Sequence, residues 1–187
     1  MKRYIFIIII LLYSCSHKPE QTMTFSSIDL ALKQPEQTKA LKIGYNDLNK
    51  FFAHIDSFEN LEFLVIESNK WLVTNFDGKI DPNTVTTISL PSNIDELKNL
   101  RILLLVNCYI DELPTRVSSL NNLKSIKLSY TKKANLPVEL AKIKSLKSLK
   151  EIDLTNSMIT PSLLKKAFNE VPNVKLTVLH PDEEPKY

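Results

Sequence analysis

Glycine is scarce in this chain of 187 residues, at Gly44 and Gly78 only. A loop that cradles phosphate on bare backbone needs at least two closely spaced glycines, so nucleotide binding of that kind is excluded. Histidine is nearly as rare. His17, His54 and His180 stand far apart, and none has cysteine or carboxylate neighbours at metal-ligand spacing. Neither G-x-S-x-G nor H-E-x-x-H occurs. A calcium loop built on Gly78 would put Val73 first and Thr84 last, where carboxylates are required, so that reading fails. Glu151 and Asp153 share one strand face, but beside Lys127 and Lys175 they read as a charged surface rather than an acid pair. No enzyme, metal or cofactor is expected.

An excess of either charge is missing too. The formal net charge is +3, and Lys2 and Arg3 supply two of those positives, so a chain without its first 14 residues carries +1. Nothing global draws it to nucleic acid. With 43% hydrophobic and 24% charged residues, the composition is that of a globular protein with room for one domain.

At the amino terminus Lys2 and Arg3 precede an apolar run from Tyr4 to Tyr13. Ten residues of helix span about 15 Å, half of a hydrocarbon core, which suits a signal-peptide core better than a membrane span. The run ends in Leu12-Tyr13-Ser14-Cys15, which resembles the bacterial lipobox, with Leu three residues before the Cys. That resemblance implies removal of residues 1–14 and lipidation of Cys15, palmitate among its acyl groups, giving membrane attachment at a bacterial cell envelope. Ser16 stands where Asp is associated with inner-membrane retention, so the outer membrane is favoured over the inner. An ordinary secretory signal that happens to contain a Cys is the alternative. Residues 15–25 read as a polar tether. With Cys15 acylated, Cys108 has no partner and no disulfide is expected.

Three segments align without gaps: LPSNIDELKNL from Leu90, LPTRVSSLNNL from Leu113 and LPVELAKIKSL from Leu136, each 23 residues after the last. A strand-type pattern accompanies them, as in Leu61, Leu64, Ile66 and Asn69 or in Leu100, Leu103, Leu105 and Cys108. It returns at Leu123, Ile126 and Leu128 and at Leu149, Ile152 and Leu154, with weaker copies from Thr38 and from Val171, where Val174 and Leu176 take the two core positions. This resembles the leucine-rich-repeat family over roughly Thr38 to Leu179. The resemblance implies an α/β solenoid of about six repeats, with a curved parallel sheet on the concave side and short helices or turns on the convex side. Independently of the name, leucines two apart point one way from a strand, and a unit that cannot bury them alone gains a core by stacking. Cys108, at the position where the family accepts Asn or Cys, reads as a small buried thiol.

Short helices are expected after Ser27, over Asn46 to Phe58, and from Thr160-Pro161, a good cap and first-turn pair. The repeat domain is assigned to residues 26–180 and a polar tail to 181–187. One unit is oversized, with 39 residues between the patterns at Leu61 and Leu100. The insertion, at about 72–89, holds Asp77-Gly78 and the β-branched stretch Val85 to Ile88, and a small hairpin is expected there.

Residues between the core leucines face the concave side. Most are polar, but Phe63, Val65, Ile102, Leu104 and Val106 make an apolar patch on two adjacent strands, flanked by Glu67, Lys127 and Tyr130. Two explanations stay open: the patch binds a protein or peptide, or the insertion folds over and buries it. A spacer or self-assembling envelope component is the alternative function. A carbohydrate-binding module would favour several aromatics on this face, where only Phe63 stands.

Overall fold

In a computed structural model, residues 24–69, 81, 84–169, 171 and 173–178 are described. Cys15, Asp77-Gly78, the aromatic residues of the insertion and the tail 181–187 lie outside them.

Among the described residues eight strands form one sheet: β1 (Thr24–Phe25), β2 (Ala40–Gly44), β3 (Phe63–Glu67), β4 (Thr86–Thr87), β5 (Ile102–Ile110), β6 (Ser125–Tyr130), β7 (Glu151–Asp153) and β8 (Lys175–Thr177). Every pairing is parallel, in the order β1-β2-β3-β5-β6-β7-β8, with β4 beside β5. Leu41, Leu64, Leu103, Ile126, Ile152 and Leu176 stand in one register, so the leucines stack as a column under the sheet. The first five are buried, as is the next column, Ile43, Ile66, Leu105, Leu128 and Leu154.

The final unit departs from the sequence expectation by two residues. Leu176, not Val174, pairs with Ile152, and Lys175 faces Glu151. A slide of two keeps every side chain on its own face, so alternation alone does not separate the registers. Asn173 supplies the correction locally, entering the strand with φ +60°, a conformation open to asparagine.

Behind the sheet the returns differ. The segments at Ile94–Glu96 and Thr115–Ser119 are 3-10 turns, whereas Leu136–Lys144 is an α-helix, α3 in chain order. The helix-forming run Glu139, Leu140, Ala141 and Lys142 accounts for it, where the other returns carry Ser, Thr and Asn. Two short helices precede it, α1 (Ile28–Ala31) and α2 (Leu48–Phe52), and α4 (Pro161–Phe168) follows. Phe51, Ile55 and Phe58 are fully buried beneath the first units, whereas Leu163 on α4 is 53% exposed.

Two features tie the units together. Asn60, Asn99 and Asn122 each donate Nδ2 to a main-chain carbonyl of the preceding unit, on Glu36, Glu59 and Lys98, at 2.8, 2.8 and 2.9 Å. Each Asn directly precedes the leucine before its strand, so the ladder satisfies the carbonyls left unpaired where the return ends. The second is an ion pair on α3, where Glu139 (1% exposed) accepts from Lys142 Nζ at 2.7 Å. Glu139 Oε2 also accepts from the Leu113 N–H at 2.8 Å and from the Tyr130 hydroxyl at 3.0 Å. Lys142 Nζ donates to the Leu113 carbonyl, so both main-chain groups of Leu113 are held by one helix.

The described ends of the insertion meet at the sheet. Strand β3 pairs with Ile102 to Val106, and β4 pairs with Cys108 and Tyr109, so β4 resumes beside β5 where β3 stops. Ser68 Oγ and Thr86 Oγ1, buried and 2.7 Å apart, join the two ends. The stretch Val85 to Ile88 thus contributes a parallel strand to the main sheet, while the expected hairpin turn lies outside the described residues.

Candidate functional groove

On the sheet face away from the core, the registers set out three rows. Ala40, Phe63, Ile102 and Ser125 form the first; Lys42, Val65, Leu104 and Lys127 the second; Gly44, Glu67 and Val106 the third. Neighbouring strands lie about 4.8 Å apart, so the five apolar side chains on β3 and β5 form one continuous strip. They line a groove of about 660 Å³ together with Phe25, Ala40, Lys42 and Glu67. Phe63, Val65, Ile102, Leu104 and Val106 are each half-buried rather than sealed.

Strand β1 is the wall that the sequence did not announce: Thr24 stands in the groove-side row beside Ala40, and Phe25 packs toward the core beside Leu41. Residues 24 and 25 were expected to belong to the tether, yet they form β1, pairing Thr24 with Ala40 and Phe25 with Leu41. Two residues are too few to carry an alternating pattern, so periodicity is silent there.

Paired charges border the strip. On one side Lys42 Nζ lies 2.5 Å from Glu67 Oε2. On the other, Lys127 Nζ donates to Asp153 Oδ2 at 2.8 Å, and the Thr155 N–H donates to Asp153 Oδ1 at 2.9 Å. Burial acts to raise the Asp153 carboxyl, but the hydrogen bonds from Lys127 and Thr155 and the lysine charge outweigh it and hold the carboxyl below its ordinary value. Both borders are thus ion pairs whose members satisfy one another, and the chemistry between them is apolar.

Tyr130 does not flank the groove. It shares the inward side of β6 with Ile126 and Leu128, is fully buried, and reaches Glu139. Its assignment to the open face ignored the period of two. Ser129 is buried as well, because the β5–β6 register jumps from Leu104/Lys127 to Tyr109/Ser129. Asn107, at φ +54°, turns the chain within that irregularity, after which Cys108, Tyr109 and Ile110 are all buried.

Burial likewise raises the Cys108 thiol to about 11, outweighing a main-chain hydrogen bond at Ser68, while the nearby charge of Glu67 adds to the rise. The thiolate fraction at pH 8 is then roughly one in a thousand. In a Cys15→Ala chain, Cys108 should stay unmodified by an aromatic disulfide reagent in native buffer and react fully in denaturant. Rapid native reaction would show that β5 opens.

His54 is exposed at the end of α2, and among the described residues no group of three His, Cys, Asp or Glu side chains could hold a metal ion. No helix among them is long and apolar enough to cross a membrane.

No protein-family model matches the sequence, and no curated protein matches it either. Among solved structures, a leucine-rich-repeat protein of Leptospira interrogans is similar, at a TM-score of 0.50 and 18% identity. The likeness covers 82% of this chain and 34% of that one, so the chain spans about a third of its neighbour's length. Stacked leucine columns under a parallel sheet, short returns behind it and this likeness agree on the architecture: the chain folds as an α/β leucine-rich-repeat solenoid.

Proposed function

We propose that the open face of the solenoid binds a segment of another protein, and that the chain is held at a bacterial envelope through an acylated Cys15. The observation that carries the binding reading is the apolar strip on β3 and β5, accessible yet bordered by charges that already satisfy one another. An interface of this kind has an apolar centre within a polar rim. The fold itself decides little, because solenoids of one type serve many partners. Binding rather than catalysis is the reading because the charged groups lining the groove, Lys42 and Glu67, are spent on each other, and no metal-binding cluster stands among the described residues.

Anchoring rests on the order of Lys2-Arg3, the apolar run and Leu12-Tyr13-Ser14-Cys15. More than one acyl chain is needed for stable attachment, since each buried methylene contributes about 0.8 kcal/mol. Cells fed labelled palmitate should label the wild-type chain and leave a Cys15→Ala chain unlabelled. Label on the Ala variant would remove the anchor. The outer membrane is the preferred site, and membrane fractionation of the wild type decides it.

The second reading, a spacer or self-assembling envelope component, predicts no partner that depends on the strip. Capture experiments with wild type, Leu104→Glu and a control at the remote, exposed Leu163 separate the two. A partner retained by the control and lost by the strip variant supports binding.

A further inference from the structure

Strands β2, β3, β5, β6 and β7 start on one edge of the sheet, and the residue before each makes a column: Lys39, Glu62, Arg101, Lys124 and Lys150. Main-chain hydrogen bonds from Arg101 N to Glu62 O, Lys124 N to Arg101 O and Lys150 N to Lys124 O hold it in step. Glu62, the acid in that column, is tied to Arg101 Nη1 at 2.9 Å. Lys98 and Lys147 lie just upstream on the same edge, in a row that also holds the exposed Glu59. With Lys124 and Lys150 they give four exposed ammonium groups that have no ion-pair partner among the described residues. The opposite edge is different in kind: Asp111 there lies 3.7 Å from Lys133, and charge meets charge.

We propose that this basic edge lies on an anionic phospholipid surface, so that the solenoid stands with its open face turned sideways and its groove free. The inference rests on the anchor proposed at Cys15. Thr24 begins β1 at this same edge, and nine residue steps from Cys15 reach at most about 30 Å. An anchored chain therefore keeps the lysines close enough to headgroups for a Lys-rich surface to settle on them.

A cleft of about 420 Å³ runs along this column between Lys39, Glu62, Arg101 and Lys124, but its hydrogen-bonding groups argue for a bilayer over a compact anionic ligand. The amides nearest the column, on Asn60, Asn99 and Asn122, are already committed to main-chain carbonyls. What remains is a row of flexible ammonium groups spread over neighbouring units. Such point charges suit a plane of negative charge and give no fixed hydrogen-bonding geometry for one small molecule.

The test uses the full acylated chain in vesicles of phosphatidylcholine alone or mixed with phosphatidylglycerol, each containing a lipid-borne quencher. One dye is placed at Asn121→Cys on the basic edge and another at Ser89→Cys on the opposite edge. On anionic vesicles the Asn121 dye should be quenched at least about threefold more than the Ser89 dye. The difference should vanish in 1 M salt, where the Debye length is about 3 Å. It should also vanish in a K98Q/K124Q/K147Q/K150Q chain whose thermal unfolding is unchanged. Equal quenching at both positions, or quenching that ignores lipid charge, overturns the proposal. So does displacement of the edge from the vesicles by an equal charge concentration of soluble heparin, which would assign it to a free polyanion. Mass measurement of Cys15 reports on the anchor separately. An acylated chain with no preferred edge sinks this inference alone, and an unacylated chain whose basic edge is still selectively quenched removes the anchor and keeps the edge.

Discussion

Replacing Glu139 by Ala should cost about 3–5 kcal/mol, the range for removing one member of a buried ion pair. Two groups lose their partner at once, the Leu113 N–H and the Tyr130 hydroxyl, and Lys142 Nζ is left with the Leu113 carbonyl and the more distant Glu112 carboxylate. Burial first, then the charge of Glu139 and the hydrogen bond to it, push the Tyr130 phenol well above its usual value, so it stays a donor throughout the working range. For a chain of this size the loss corresponds to a fall of roughly 10 °C in the unfolding temperature. Glu139→Gln keeps an acceptor for Leu113 and Tyr130 while removing the charge opposite Lys142, and should cost less than Ala. Urea titration of the three chains measures this. An Ala variant within about 1 kcal/mol of wild type would mean that water can accept from the Leu113 N–H and the Tyr130 hydroxyl in place of the carboxylate.

Leu104→Glu should leave the fold nearly intact and abolish binding. Leu104 lies at the middle of the second row, between Val65 and Lys127, and is half-buried. Apolar anchors at the centre of an interface commonly carry 2–4 kcal/mol, which is roughly a 30- to 1000-fold change in affinity. The same substitution bears on the cover explanation. If the strip is packed under other residues, a carboxylate there is desolvated and stability falls by several kcal/mol. Calorimetry of the variant beside its capture assay separates the outcomes, because a binding surface loses its partner at unchanged unfolding temperature.

The column of Leu41, Leu64, Leu103, Ile126 and Ile152 was legible from spacing, because strands of one parallel sheet must present their apolar residues in step. The strip on β3 and β5 was legible for the same reason. What stayed hidden is what period-two patterning cannot express. The last unit slides by two at Asn173, and the β5–β6 irregularity at Asn107 inserts residues that obey no alternation. Tyr130 was misplaced on the groove rim although its parity with Leu128 put it inside. The Asn ladder carried a signal that went unread: Asn60, Asn99 and Asn122 each stand one residue before Leu61, Leu100 and Leu123.

The joining of Ser68 to Thr86 has a practical consequence for engineering. Because β3 and β4 take successive stretches of β5, the chain may leave the sheet and rejoin it without altering the step between units. A flexible linker spliced between those two points costs little for its length, since each doubling adds only about 0.6 kcal/mol. The excursion is therefore a socket: a folded guest such as a fluorescent domain can be spliced there. Its base adjoins Glu67 and Val106, so the guest would report directly on occupancy of the groove.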